Sequence, residues 1–480
     1  MLFTSWAFVL FFIVVFVVHN ILLKDKTKAQ NLILLAASYF FYGYADLKML
    51  PLLVIATILF YFLGIAVSKA KSEKENNILS FIGIAAGVGL LLYFKYLNFF
   101  IDSFAHLFES WGLHTNLHTF KIIMPLGISF FTFRLISYIV EIHREAIEPT
   151  RDFVSFATYI AFFPCILSGP IDRPDFMDQL QRPHRFDYDK AVDGMRQILW
   201  GLFKKCVVAD NCAIYVNNVW DSFSTMSGST LALAAVLYAF QLYADFSGYS
   251  DMAIGIGKLL GFKITNNFKY PFFATNIADF WRRWHISLTS WVTDYVFMPL
   301  NIMFRNMGKF GIILAIMINM LIVGMWHEAN WTCFAYGLYH GLLFVPLILT
   351  GSFNKRQQLQ ANRWGLPKIG DFGKMLLTFF LVTLSFIIFR AENIGKAWEY
   401  ILHLFGNGLI SMPFIFVGTK RSLLFVFLMM VTEWCFRTKE HPLQFDESCP
   451  KWIPVLISYL LILLTLEFAA HSQSFIYFKF

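Results

Sequence analysis

The sequence predicts an all-α, polytopic membrane protein, and three observations support that prediction. Of the 480 residues, 58% are hydrophobic and 15% are charged, whereas charged residues make up about a quarter of ordinary soluble domains. The mean hydropathy is +0.58. Apolar stretches long enough to cross about 30 Å of hydrocarbon recur along the chain. Because backbone amides find no water in lipid, such spans must be helical.

We predict roughly ten to twelve transmembrane helices, with further helices that are re-entrant or interfacial. The first apolar stretch is longer than the apolar core of a signal peptide and no small-residue cleavage pattern follows it, so we expect it to stay in the membrane. The chain has no fixed-period repeat and no long polar segment, which predicts a single membrane-embedded domain over residues 1–480. The apolar stretches are residues 3–23, 49–67, 78–100, 122–140, 228–244, 310–326, 331–350, 374–389, 411–435 and 452–470.

Lysine and arginine in the short loops predict the orientation. The loops near residues 45–48 and 109–121 are poor in basic residues, and the loops that alternate with them are rich. Because basic residues concentrate on the cytoplasmic side, this alternation predicts an outside N-terminus. The basic loop residues are Lys24, Lys26, Lys28, Lys69, Lys71, Lys74, Arg144 and Arg151.

Residues 153–170 are apolar, but we expect them to be re-entrant or interfacial. If they crossed the membrane, the basic loop at residues 171–194 would lie outside, against the usual charge bias. A re-entrant backbone is tolerated only where protein or a watery cavity covers it.

The formal charge of +8 is typical of basic loops at an anionic membrane leaflet. Membrane lipid is therefore an expected partner, and nucleic acid is not, because no basic stripe or stacking platform stands clear of the spans. The six cysteines form no CxxC pair and no Cys/His ligand spacing, so we predict neither a disulfide framework nor a metal site.

Three stretches in the second half of the chain place polar and aromatic residues in segments that otherwise look membrane-bound: Gln241–Gly255, Asn266–Leu300 and Gly324–Gly341. Ionisable residues inside a membrane are costly and indicate function. The candidate catalytic residues are His327 and His285, and the candidate cavity residues are Asp245, Tyr249, Arg282, Arg283, Trp284, Trp326, Asn330, Trp331 and His340.

The second stretch allows two interpretations. On a helix, Asp279 and Arg283 are four residues apart and can pair, while Arg282 and His285 are three apart and share a neighbouring face. One interpretation is an interfacial amphipathic helix with a tryptophan belt and snorkelling arginines. The other is a polar site beside a cavity.

His327 comes at the end of an apolar span, and His340 follows thirteen residues later. At about 100° per residue the offset is about 220°, so on one unbroken helix the two rings point in nearly opposite directions. They converge only if the helix breaks; otherwise one of them is structural.

A histidine in a dry cavity can take a hydroxyl proton while a thioester is attacked. Asn330 or an arginine would then stabilise the oxyanion. The serine motif GxSxG is absent, and "HEAN" is not the zinc motif HExxH, which favours base catalysis by His327 without a metal. A histidine at a helix end also serves as a structural donor, and that alternative stays open.

The motifs resemble the membrane-bound O-acyltransferase family, in its bacterial branch of alginate O-acetylation proteins, peptidoglycan O-acetyltransferases and the membrane protein of teichoic-acid D-alanylation. The resemblance covers essentially the whole chain. It is most specific in "DFWRRWHISL" and "MWHEANW" and extends to "LLAASYFFYGY", "PLGISFFTFRLISYIVEIHR", "DFSGYSDMAIGIGKLLGF", "NFKYPFF", "DYVFMPL" and the terminal "FIYFKF".

The resemblance implies a ring of helices around a central cavity, with His327 catalytic and His285 lining the same cavity. It implies a thioester donor such as acetyl-CoA on the cytoplasmic side, with no permanently bound cofactor. It also implies a bacterial inner-membrane protein that works with a periplasmic SGNH-hydrolase-type partner to acetylate an extracytoplasmic polysaccharide.

Two other functions remain as alternatives. A secondary transporter also has many spans and polar residues near the membrane midplane, but it would more often show inverted repeats with paired broken helices. A non-catalytic scaffold that recruits a periplasmic transferase would tolerate the loss of His327. The acceptor polysaccharide is not identified by any motif.

Overall fold

The computed structural model describes residues 1–112, 122–353, 355, 365–406, 408–446, 448–469 and 475. Parts of the loop near 109–121 and of the terminal motif FIYFKF lie outside the described residues. No strand occurs among the described residues, and helices dominate, which confirms the all-α prediction. These residues form two compact units, Met1–Gly194 with Ile256–Thr265, and Met195–Gly255 with Asn266–Phe480.

Twenty α-helices follow one another in the described chain, and π-helical turns directly continue α1, α4, α9 and α13. In order they are α1 Trp6–Val17, α2 Thr27–Asp46, α3 Leu50–Ser68, α4 Glu73–Leu91, α5 Leu97–Ser110, α6 Ile128–His143, α7 Phe153–Ala161, α8 Phe176–Leu180, α9 Tyr188–Leu202, α10 Asp210–Trp220, α11 Gly228–Leu259, α12 Ile277–Trp281, α13 Ile286–Val292, α14 Met298–Met303, α15 Gly308–His327, α16 Trp331–Leu349, α17 Ile369–Arg390, α18 Ile394–Gly406, α19 Thr419–Cys435 and α20 Trp452–Ala469.

Helices long and apolar enough to cross a membrane confirm a multi-pass membrane protein. Within the described chain six segments meet both criteria, and two shorter apolar helices, Trp6–Leu22 and Trp452–Phe468, accompany them. Two of the apolar stretches predicted from the sequence begin before the helices that they contain. Gly127 and Gly418 have φ of 69° and 95°, and α6 and α19 start only after these left-handed residues. The six segments are Leu50–Ser68, Glu73–Ser110, Gly228–Leu259, Arg305–His327, Trp331–Leu349 and Ile369–Arg390.

The apolar stretch at residues 153–170 contains only the nine-residue helix α7. At 1.5 Å per residue this helix is too short to cross a bilayer. Buried Arg134 donates from Nη1 to the carbonyls of Tyr159 and Ile160, at 2.9 and 3.1 Å, and from Nη2 to the carbonyl of Pro170 at 3.3 Å. Arg134 therefore satisfies two carbonyls at the end of α7 and one in the irregular backbone after it, as a re-entrant segment requires.

Helices α15 and α16 pack closely against each other as a hairpin, and α15 ends where the hairpin turns. A Cβ added at Gly324 would lie 2.3 Å from the carbonyl oxygen of Cys333, and one added at Gly337 would lie 2.4 Å from that of Met320. Both glycines therefore allow backbone-to-backbone approach that no other residue permits.

Replacing Gly337 with alanine is expected to destabilise this hairpin by about 1 to 3 kcal/mol, because the new methyl group meets backbone that cannot yield without moving a helix. Thermal unfolding in detergent would measure the change. Gly373→Ala is the matched control, since Gly373 also lies in a membrane helix and a Cβ there meets nothing within 4 Å. Equal losses in the two variants would contradict the close approach.

Candidate active site

His327 is the last residue of α15 and is 3% exposed. The helix ends there, residues 328–330 are not helical, and α16 then runs back beside α15. Aromatic rings surround the imidazole, with centroids 5.1 Å away at Trp326, 5.3 Å at Phe389 and 6.2 Å at Tyr336. The histidine therefore sits in largely apolar surroundings.

His285 lies in the break between α12 and α13, fully buried. Its φ of 45° and ψ of 53° are left-handed, a conformation that costs a non-glycine residue roughly 1 to 2 kcal/mol. The expectation that Arg282 and His285 share a face of one helix is wrong, because α12 ends at Trp281. Arg282 is instead exposed and donates from Nη2 to the carbonyl of Phe353 at 2.7 Å.

The two predicted catalytic histidines lie together in the second unit. Their ring centroids are 6.3 Å apart, and Trp326 lies 5.4 Å from the His285 ring. Burial lowers the pKa of His285 well below its usual value, and the neighbouring His327 lowers the pKa of His285 further. His285 is therefore neutral near pH 7. Two imidazoles this close can contact one small ligand.

Asn267 connects His285 to α11 and α13. Its side-chain oxygen lies 3.1 Å from His285 Nδ1 and accepts from the backbone N–H and the hydroxyl of Ser287 at 3.2 and 2.9 Å. Its amide nitrogen donates to Ser250 Oγ at 3.3 Å, and its carbonyl accepts from the N–H of Ile286 at 2.9 Å. Sequence reasoning missed Asn267, which it saw only within the motif NFKYPFF.

His340 lies on α16 and is fully buried away from a helix end. The indole N–H of Trp281 donates to its Nδ1 at 3.3 Å, so Nε2 carries the proton and donates to Ser385 Oγ at 2.9 Å. Ser385 in turn donates to the carbonyl of Val382. Both ring nitrogens therefore join α16 to α12 and α17, and the expectation that His340 lines a cavity stays a prediction.

Other candidate residues near the histidines make ion-pair and ring contacts within the protein. The predicted pairing of Asp279 with Arg283 is confirmed, with Oδ1 and Nε 2.9 Å apart. Trp284 is 1% exposed and stacks on Phe280 at 5.4 Å.

The remaining candidates differ in exposure. The side chain of Asn330 caps α16 by accepting from the N–H of Thr332 at 3.2 Å, which leaves its NH₂ end as the donor. Trp331 is 51% exposed, whereas Trp326 and Tyr249 are buried, and Tyr249 stacks on Phe475 at 4.9 Å.

A buried ion network lies in the same unit, and sequence reasoning recognised only Asp245 of it. Lys205 Nζ is 2.8 Å from a carboxylate oxygen of Asp245 and 2.8 Å from one of Asp210. The neighbouring Lys204 Nζ is 2.6 Å from Asp251 Oδ2 and 2.9 Å from Ser247 Oγ. The signal was available, because two lysines in the apolar run before α10 are costly unless paired.

No group of three or more His, Cys, Asp or Glu side chains among the described residues could hold a metal ion.

Fold and site together define a multi-pass helical membrane protein that buries two adjacent histidines at helix breaks. A model of the MBOAT, membrane-bound O-acyltransferase, family matches residues 35–388. The chain therefore belongs to the membrane-bound O-acyltransferase family and is an acyltransferase.

Similar proteins with curated names agree with this class. The probable alginate O-acetylase AlgI of Pseudomonas putida is 34% identical over 85% of this chain and 81% of its own length. The peptidoglycan O-acetyltransferase of Helicobacter pylori is 30% identical over 93% of this chain and 91% of its own length. The teichoic acid D-alanyltransferase of Streptococcus thermophilus is 29% identical over 57% of this chain and 74% of its own length.

Proposed function

We propose that this protein moves an acetyl group from a cytoplasmic thioester, acetyl-CoA, across the membrane for O-acetylation of an extracytoplasmic polysaccharide. The observation that supports this proposal is the pair of buried histidines, 6.3 Å apart between ring centroids, within a member of this acyltransferase family. The acetyl group and polysaccharide follow the names of the alginate and peptidoglycan relatives.

In the proposed reaction His327 is the general base. It takes the proton of the attacking hydroxyl, the hydroxyl oxygen bonds to the thioester carbonyl carbon, and the carbon–sulfur bond breaks. His327 then returns the proton to the thiolate, so the thiol leaves and no charge accumulates. The aromatic surroundings of His327 exclude water and so limit hydrolysis of the thioester.

The proposed setting is the bacterial inner membrane with an outside N-terminus. The basic loops around Lys24 and Lys69 would face the cytoplasm, where they would attract the anionic donor. A periplasmic SGNH-hydrolase-type protein would receive the acetyl group and pass it to the polysaccharide. Family membership favours this enzyme over the transporter alternative, which predicts movement of an intact solute.

Labelled acetyl transfer tests the proposal. Proteoliposomes with the purified protein would receive [¹⁴C]acetyl-CoA on one side and the SGNH-type protein with its polysaccharide on the other. We expect label on the partner or polysaccharide and one free CoA thiol released per acetyl group moved. A parallel arm with acetylated acyl carrier protein distinguishes the two thioester donors. Absence of labelled product with either donor would contradict the proposed function.

A further inference from the structure

The hydrogen bonds around Asn267 determine which nitrogen of His285 carries the proton. The backbone N–H of Ser287 is only a donor, so the Asn267 atom that it contacts at 3.2 Å must be the side-chain oxygen and not the amide nitrogen. The same oxygen lies 3.1 Å from His285 Nδ1. Because that oxygen can only accept, Nδ1 must be protonated.

A neutral imidazole has one N–H, and in His285 it is used by Asn267. The other nitrogen, Nε2, then has a lone pair and no proton. His285 is also held by its backbone, because the carbonyl of Asn267 accepts from Ile286 next to the left-handed turn. Neither the ring nor the backbone at residue 285 can turn without breaking contacts to Asn267.

We propose that Asn267 is a positioning residue that holds His285 as the Nδ1-protonated tautomer, so that His285 acts only as a hydrogen-bond acceptor at Nε2. This inference rests on the proposed function for its catalytic meaning, because it assigns His285 a role in that same reaction. A neutral His285 of this tautomer offers no N–H to the developing oxyanion. The oxyanion must then be stabilised by another donor, and Asn330, whose NH₂ end is a donor three residues after His327, is a candidate.

Aromatic rings and His327 surround His285. The rings packed against it belong to Phe246, at 4.7 Å, and Trp326, at 5.4 Å, and neither titrates. His327 is a titratable neighbour, and Asp251, which follows Ser250 in the sequence, pairs with Lys204. An acid placed at position 267 would therefore act on His285 directly.

Nitrogen-15 NMR on histidine-labelled protein in nanodiscs tests the tautomer without a measurement of activity. The resonances lost in His285→Gln identify His285. We expect a protonated Nδ1 and an unprotonated Nε2 in the wild type, and mixed tautomers in Asn267→Ala. Ser287→Ala is the matched control, because it removes one hydroxyl from the Asn267 oxygen and leaves the contact to His285. A protonated Nε2 in the wild type would overturn the inference.

The pH dependence of acetyl transfer tests the role. In Asn267→Asp a carboxylate faces Nδ1–H and favours the imidazolium, so the pKa of His285 rises and its acceptor nitrogen is lost at a higher pH than in the wild type. We expect the acid limb of the rate profile to move up by about one pH unit or more, and Asn267→Ala to lose about 10- to 100-fold in rate at all pH values. An unshifted acid limb in Asn267→Asp, with His285→Gln inactive, would overturn the role.

The two experiments separate this inference from the proposed function. If the wild type transfers no acetyl group but NMR finds Nδ1 protonated, the proposed function fails and the positioning by Asn267 stands. If the wild type is active and NMR finds Nε2 protonated, the positioning fails alone. Size-exclusion chromatography of each variant confirms equal amounts of folded protein.

Discussion

Replacing His327 with alanine is expected to lower the rate of acyl transfer by about 100- to 10,000-fold, the contribution typical of a general base. The protein should stay folded, because His327 ends α15 and its loss leaves the Gly324–Gly337 contact of the hairpin intact. The measurement is the initial rate of labelled acetyl transfer at equal amounts of monodisperse protein.

His403→Ala is the control for that experiment. His403 lies in the same unit, on α18, and its Nε2 is 3.7 Å from Glu399, so it is a helical histidine outside the site. We expect its rate to equal that of the wild type. If His327→Ala kept full transfer while the SGNH-type partner remained essential, the scaffold alternative would replace base catalysis by this chain.

Replacing Lys205 with methionine is expected to destabilise the protein by about 3 to 5 kcal/mol, because it leaves two buried carboxylates without their cation. Lys205, Asp210 and Asp245 are 5%, 3% and 2% exposed, so water cannot compensate for the lost charge. The observable is the loss of monodisperse protein on heating in detergent micelles.

A charge-neutral triple variant makes the cause testable. Lys205→Met combined with Asp210→Asn and Asp245→Asn removes the cation and both anions, and we expect it to recover most of the lost stability. Lys396→Met is the control, because the Lys396–Glu392 pair is exposed and contributes little. If the triple variant were no more stable than Lys205→Met alone, packing rather than charge would explain the loss.

The sequence predicted those elements of the fold that a single residue pattern determines, such as a long apolar run or a basic loop. Long apolar runs gave the spanning helices, and the basic loop after residue 170 predicted that residues 153–170 would not cross. The predicted starts of α6 and α19 were wrong, because hydropathy does not detect the left-handed conformation of Gly127 and Gly418. These glycines set the helix boundary through backbone conformation, not through apolarity.

The sequence identified candidate residues for the site but did not predict their arrangement. Both histidines were selected because polar groups in apolar segments are costly, yet helical periodicity placed Arg282 and His285 on one face. The periodicity does not extend past Trp281, since a left-handed histidine interrupts it. Contacts such as that of Asn267 with His285 join residues eighteen positions apart and depend on tertiary packing, which one sequence does not display.

The interlocked backbones of α15 and α16 bear on how this site would respond to an inhibitor. Since Gly324 and Gly337 leave no space between the two helices, His327 is held at the end of a rigid helical hairpin and not on a mobile lid. A compound shaped like the tetrahedral adduct would meet a preorganised His327, the proposed base, and would lose little affinity to ordering the protein. Medicinal chemistry on this target would therefore gain most from rigid ligands matched to the resting site.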